Sequence, residues 1–242
     1  MARPNKYLSY DEERAPRVRE MFSRLARRYD FVNDVMSFGL HRVWKRRTVR
    51  IALAGRKAPL RLLDLCCGTG DLGFLAEEAA SGLRVFGVDF TLPMLQVARA
   101  RKRAQGSRNA FAQGDALRLP LPAASVDLVT IGYGLRNIAD PQAALVEIKR
   151  VLAPGGRVVV LDFGKPAGRI RSALYFGYLN SVMPLMGWLF HRDRETYAYI
   201  PASLERYPGQ RGVARLMEQA GFTGVRFEEA LLGTMGFNVG EV

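Results

Sequence analysis

Apolar positions along the middle of the chain fall into two alternating rhythms. Short β-branched or leucine-rich runs occur at residues 62–65, 85–88, 110–112, 126–131 and 157–161, and the stretches between them carry helical spacing. Strand, helix, strand repeated in this way predicts a parallel sheet covered by helices on both faces. Upstream, Val18, Met21, Phe22 and Leu25 recur at helical intervals within residues 14–28, predicting an amphipathic helix with an arginine-rich polar face. A second basic stretch interleaves Arg42, Lys45, Arg46, Arg47 and Arg50 with Val43, Trp44 and Val49. Residues 173–190 are dense in Leu, Met and aromatic side chains but are interrupted by Asn180 and Pro184 and fall short of the ~20 residues a membrane span needs. They are expected to cover a site, to pack on the N-terminal helices, or to admit an apolar substrate.

The chemistry concentrates where these strands end. Leu62-Leu63-Asp64-Leu65 runs through Cys66-Cys67 into Gly68-Thr69-Gly70-Asp71, a tight turn that opens a helix. Glycine there reaches positive φ and lets a ligand approach the backbone. Asp89 closes the next strand nineteen residues beyond Gly70, a spacing suited to a carboxylate on a ribose diol. Gly68, Gly70 and Gly73 satisfy the dinucleotide pattern, yet Asp64 and Asp71 would set two negative charges beside a pyrophosphate. Acid around the turn suits a cation, so the reading favours S-adenosylmethionine with its sulfonium and ammonium. Asp64, Gly68, Gly70 and Asp89 are then cofactor-side candidates. Asp115 in Gln113-Gly114-Asp115-Ala116 would accept from the adenine amino group, with Ala116 near the ring and Gly132 at the end of the fourth strand. The ensemble resembles a class I S-adenosylmethionine-dependent methyltransferase: α/β, Rossmann-like, with a mostly parallel seven-stranded sheet.

Length and charge refine this frame. The 242 residues are 48% hydrophobic and are not divided by a linker or repeat, so one compact unit is expected. It would comprise a basic helical N-terminal extension (1–57) and a methyltransferase domain (58–242) with an apolar helical insertion at about 168–205. Of the net charge of +13, residues 1–60 hold +9, from 15 Lys/Arg against 6 Asp/Glu. Such a basic surface suits anionic lipid or nucleic acid. Adjacent Cys66 and Cys67 would point to opposite faces of an extended segment and not pair, and with only His41 and His191 besides, no metal site is expected. The charged N-terminus without an apolar run of about 7 to 15 residues predicts no secretory signal, hence a cytoplasmic setting.

Longer blocks carry a closer resemblance. Residues 29–46, the run Gly132-Tyr133-Gly134-Leu135-Arg136-Asn137, and residues 150–156 resemble the signatures of the ubiquinone/menaquinone biosynthesis C-methyltransferase family, with similarity from about Phe22 onward. This resemblance implies methylation of a ring carbon of a prenylated naphthoquinol, typically demethylmenaquinol, with Thr69, Asp89, Asp115 and Ala116 at the cofactor. Val32, Asp162, Gly164 and Gly132 depart from the usual Met, Glu, Ser and Ser. Cys66-Cys67, Gly132-Tyr133 and residues 197–200 are more similar to the branch acting on phytyl-naphthoquinol in phylloquinone synthesis. The ubiquinone-pathway benzoquinol is a further alternative. Contact of the basic N-terminal helices with the inner face of the membrane is expected, and self-association is left open.

A quinol carbon becomes nucleophilic when a neighbouring hydroxyl, of pKa about 10, gives up its proton. Arg136 and Asn137 follow the fourth strand, facing the transferring methyl. Arg136 is too basic to take a proton and is assigned stabilisation of the phenolate. His41 and His191 are alternative bases, and Tyr133, Tyr197 and Tyr199 are expected to line the substrate pocket. Base-modifying RNA methyltransferases would place an Asn/Asp-Pro-Pro-aromatic run or a nucleophilic Cys after the fourth strand. Residues 132–137 offer neither, so no nucleic-acid substrate is expected.

Overall fold

The computed structural model describes residues 14–26, 29, 33–34, 37–58, 60–191, 199, 201 and 203–242, without the side chains of 14–15 and 182–191. The expected contributions of Asp30, Phe31, Val32, Val35, Met36, Tyr197, Ala198 and Ile200, and of the His191 side chain, lie outside the described residues.

Two helices, α1 (Arg14–Leu25) and α2 (Leu40–Leu53), precede the sheet. Then follow β1 (Leu60–Leu65), α3 (Asp71–Ala79), β2 (Leu83–Asp89), α4 (Leu92–Gln105), β3 (Ala110–Gln113) and β4 (Val126–Gly132). A 3-10 turn (Leu135–Asn137) leads to α5 (Pro141–Val151), β5 (Leu152–Phe163), α6 (Arg169–His191), α7 (Gly209–Gln219), β6 (Thr223–Ala230) and β7 (Met235–Glu241). The seven strands are ordered β3-β2-β1-β4-β5-β7-β6, and only β7 runs antiparallel to its neighbours. This is the expected mostly parallel sheet.

The period of two along the strands decides which helices each face meets. Leu63, Leu65, Val129, Ile131, Val158 and Val160 face one layer, where Leu145 and Ile148 of α5 and Val213 and Met217 of α7 pack. Leu62, Val85 and Leu128 face the other, against Val49 of α2 and Leu72 and Ala76 of α3. Residues 40–53 of the expected N-terminal extension thus share the core, with Ala52 also meeting Val159 and Val239. Helix α5 starts where Pro141 presets φ and Asp140 Oδ1 accepts the Ala143 N–H at 3.0 Å.

The apolar face of α1 turns inward: Val18 and Met21 are buried against Tyr199, and Phe90 packs beside them. Helix α6 runs without a break through Asn180 and Pro184. Among the described residues no helix is long and apolar enough to cross a membrane.

Candidate active site

The strand order reverses between β1 and β4, so the segments leaving their carboxyl ends part and open a crevice, the place where open α/β sheets hold ligands. The β1 segment turns sharply. Cys66 sits at φ 55°, Gly68 at 54° and Gly70 at 88°, and the Cys67 carbonyl accepts the Gly70 N–H at 2.8 Å. Because Cys66 is left-handed, the two cysteines are not neighbours in an extended segment; both are free thiols. Burial raises both thiols well above their ordinary value, keeping them protonated.

A cleft of about 430 Å³ lies over this turn, lined by Gly68, Asp89, Asp115, Ala116, Gly132 and Asn137 among others. Asp89 accepts the Gly68 N–H at 2.9 Å and the Thr91 N–H at 2.8 Å, so its carboxylate locks the glycine turn to the end of β2. Burial raises its pKa. Asp115, past the end of the neighbouring strand β3, accepts the Leu117 N–H at 2.9 Å, while Phe90, Met94 and Ile138 give the cleft apolar walls. A Cβ built on Gly68 meets nothing within 4 Å, whereas one on Gly132 would meet Leu72 Cδ1 at 2.8 Å. A serine at 132 therefore needs the end of the Leu72 side chain to move.

Three cofactor-side candidates do not line the cleft. Asp64, 1% exposed, lies beneath the turn, where it accepts the Gly73 N–H at 3.0 Å and the Thr130 hydroxyl at 3.2 Å. Burial pushes its pKa up to about 7. Thr69 is buried, its carbonyl accepting from Arg101 Nη1 at 3.1 Å. Gly70 is the left-handed residue that starts α3, packed under Phe74 and Phe111. Asp71 is bound by Lys45 Nζ and Arg101 Nη1, each at 2.6 Å. The acidity expected around the turn is thus neutralised or buried, and the carboxylates facing the cleft are Asp89 and Asp115.

Beside this cleft lies a second cavity of about 540 Å³, mostly apolar. Phe22, Tyr29 and Tyr133 line both, so the two share an aromatic wall. Tyr133 holds φ 59°, fixed by its N–H donating to the Leu161 carbonyl at 2.7 Å. Helix α6 supplies Leu174, Tyr175, Tyr178 and Leu179, so the apolar insertion does wall the site. Arg136 lines this second cavity and not the first. Its Nη1 bonds Asp162 Oδ1 at 2.6 Å and the Tyr133 carbonyl at 2.7 Å, and the guanidinium stacks 4.8 Å over Phe163. Asn137 lines the first cavity and accepts from the Tyr199 hydroxyl at 2.7 Å, joining the two.

Four residues on the wall of the apolar cavity carry a buried polar atom with no hydrogen-bond partner among the described residues: Asn33 Nδ2, His41 Nδ1, Tyr133 Oη and Tyr175 Oη. Each such atom costs about 1–3 kcal/mol until a partner arrives. All four residues line the one cavity, so an occupant carrying polar groups suits it better than a hydrocarbon. Asn33, Asp34 and Tyr175 were not singled out by sequence reasoning. Asp34 has no local signal of its own; it is found only through its contacts, with His41 Nε2 at 2.8 Å and Arg42 Nε at 2.7 Å.

Residues 9–241 match the model of the ubiE/COQ5 methyltransferase family. The chain is 44% identical to a demethylmenaquinone methyltransferase of Thermus thermophilus over 91% of its length and 99% of the relative's. It is 42% identical to a ubiquinone/menaquinone biosynthesis C-methyltransferase of Rubrivivax gelatinosus, over 99% and 93% respectively. Among solved structures, a SAM-dependent methyltransferase from Aquifex aeolicus superposes with a TM-score of 0.57 at 18% identity, covering 81% of this chain and 88% of that one.

Proposed function

The chain belongs to the ubiE/COQ5 methyltransferase family, and from that premise we propose that it transfers a methyl group from S-adenosylmethionine to a ring carbon of demethylmenaquinol, giving menaquinol. The observation that carries this reading is the shared aromatic wall: a cleft ending in two carboxylates meets a larger apolar cavity across Phe22, Tyr29 and Tyr133. A nucleoside on one side and a flat apolar ring on the other suit those surfaces.

The first cleft fits the donor. Gly68 leaves room where a Cβ would stand, Asp89 would take the ribose hydroxyls, Asp115 the adenine amino group, and Ala116, Phe90, Met94 and Ile138 would enclose the ring. Asp64, Thr69 and Gly70 would shape the turn from beneath. When bound, S-adenosylmethionine supplies an electrophilic methyl on a positively charged sulfur.

The second cavity serves the acceptor. Its aromatic and aliphatic lining holds the fused ring and the first isoprene units and excludes water. Its four unpartnered polar atoms offer hydrogen bonds that a quinol with two oxygens satisfies and a hydrocarbon does not. Arg136 would stabilise negative charge developing on the quinol oxygen, with Asp162 balancing the guanidinium while the oxygen is neutral. Asn137, clamped between Tyr199 Oη and the Tyr133 carbonyl, would keep Tyr133 in place at the junction.

Peripheral membrane contact is part of this proposal, through the rim of the apolar cavity beside the basic helix α2. Phe38, Leu231 and Leu232 line the apolar cavity, are 85%, 53% and 75% exposed, and all sit at positive φ. Bulky apolar residues held in strained backbone and turned to solvent, with Arg42 and Arg171 exposed nearby, suit insertion into an anionic leaflet through which a prenylated substrate arrives. The reading is tested by expressing the chain in a host lacking its own quinone C-methyltransferase and weighing extracted quinones by mass spectrometry. Gain of one methyl on the naphthoquinone supports it; unaltered demethylmenaquinone overturns it.

A further inference from the structure

We infer that His41, oriented by Asp34, is the catalytic base that removes the proton from the quinol hydroxyl; the inference deepens the quinol reading and rests on it. His41 Nε2 lies 2.8 Å from Asp34 Oδ1, and Arg42 Nε holds the same oxygen at 2.7 Å. Asp34 is a carboxylate kept ionised, its pKa lowered to about 2 by those two partners, Arg42 first. An ionised carboxylate only accepts, so the ring proton resides on Nε2 and Nδ1 presents its lone pair. That Nδ1 is buried, has no partner among the described residues, and belongs to a residue on the wall of the apolar cavity. The backbone is fixed as well: the His41 N–H donates to Ser37 Oγ at 3.2 Å, and that hydroxyl donates to the Asn33 carbonyl at 2.6 Å.

Four other titratable groups on this cavity do not fill the role. Arg136 and Arg171 hold no lone pair to offer. Burial drives the Tyr133 and Tyr175 hydroxyls above their ordinary values, leaving them as donors. The His41 imidazole is kept neutral, first by burial and further by Lys45, against the opposing pull of Asp34 and Asp71. A neutral imidazole backed by a carboxylate is a base suited to a hydroxyl of pKa about 10 near neutral pH.

The balance closes. The quinol O–H bond breaks, its proton passes to Nδ1, and the freed electron pair moves through the ring to the carbon that bonds the methyl. The bond from that methyl to sulfur breaks with its pair left on sulfur. The ring carbon then loses its own hydrogen as a proton to water, restoring aromaticity as a phenolate, which regains a proton from His41. One proton is released per turnover.

The experiment compares wild type, His41→Ala and Asp34→Asn with demethylmenaquinol, and adds thermal melting, calorimetry with S-adenosylhomocysteine, and free imidazole. His41→Ala should lower kcat by about 10²–10⁴-fold with KM for the quinol and cofactor affinity within about threefold, and imidazole should restore at least tenfold. Asp34→Asn, which keeps the imidazole but frees its orientation, should lose kcat by about tenfold or more without loss of cofactor binding. Turnover within a few-fold of wild type in either variant overturns the inference, as does a loss that imidazole fails to restore. Absence of wild-type turnover overturns the functional reading and this inference together, whereas wild-type turnover retained in His41→Ala overturns this inference alone.

Discussion

Lys45 Nζ lies 2.6 Å from Asp71 Oδ2, tying the second N-terminal helix to the first residue after the glycine turn. The tie is asymmetric. Asp71 has a second cation in Arg101, but Lys45, 5% exposed, makes no second direct ion pair among the described residues. Asp71→Asn should therefore leave a buried unpaired ammonium and cost about 3–5 kcal/mol. Lys45→Met keeps the aliphatic packing and leaves Asp71 with Arg101, for about 1–2 kcal/mol. Melting curves check the order: equal losses would show that the two ends are not differently compensated.

Asp64 should make stability fall as pH rises. Its folded pKa, pushed up to about 7 by burial, lies above the ordinary carboxylate value, so the folded state holds the proton more tightly than the unfolded chain. The penalty is absent below about pH 4, grows between about 4 and 7, and is constant above, at up to about 4 kcal/mol. Asp64→Asn keeps an acceptor for Gly73 and removes the charge. It should raise the melting temperature more at pH 8 than at pH 5, and an equal rise at both values would contradict the shift.

Arg136 and Asp162 form a pair with side chains 6% and 2% exposed. Arg136→Ala leaves Asp162 buried without its counter-ion, so about 3–5 kcal/mol of stability should go with the activity. Combining Arg136→Met with Asp162→Asn separates the two effects. The double variant should regain most of the melting temperature while kcat stays down about 10²-fold. Near-normal turnover in the double variant would remove Arg136 from the chemistry.

Gly68 is required for two reasons, its φ of 54° and the open space where a Cβ would stand. Gly68→Ala should cost about 1–2 kcal/mol in backbone strain and weaken S-adenosylhomocysteine binding at least tenfold by calorimetry. Unchanged affinity would mean that the donor does not approach this turn.

Phe38, Leu231 and Leu232 should matter for lipid and not for chemistry. Changing Phe38 to Ser, with Leu231 and Leu232 to Asn, removes the exposed apolar tips and puts a residue tolerant of positive φ at the last two. Co-sedimentation with vesicles rich in anionic lipid should fall several-fold while turnover of a tail-less naphthoquinol persists. Unaltered co-sedimentation would place the membrane contact elsewhere.

Much of the frame was legible before any coordinates. Short apolar runs at residues 62–65 and 126–131 marked the central strands, because a parallel strand covered by helices on both faces buries both sets of its side chains. The left-handed glycines at 68 and 70 and the acid at 89 could be read from spacing, because turn geometry and the reach from one strand end to the next are local constraints. The basic stretch at residues 42–50 read as surface charge, yet its Lys45 is buried. Periodicity says that a face is covered, not what covers it.

The sequence by itself determined the α/β rhythm, the glycine turn, Asp89 and Asp115 at one cleft, and the family blocks that point to methyl transfer. Tertiary structure decided which acids still carry charge toward the ligand, that the α1 stripe faces Tyr199, and that Asp34 stands behind His41. The reason is that field and burial depend on distance in space. Lys45 and Asp71 are 26 residues apart and Arg136 and Asp162 also 26, and no local pattern records that either pair meets.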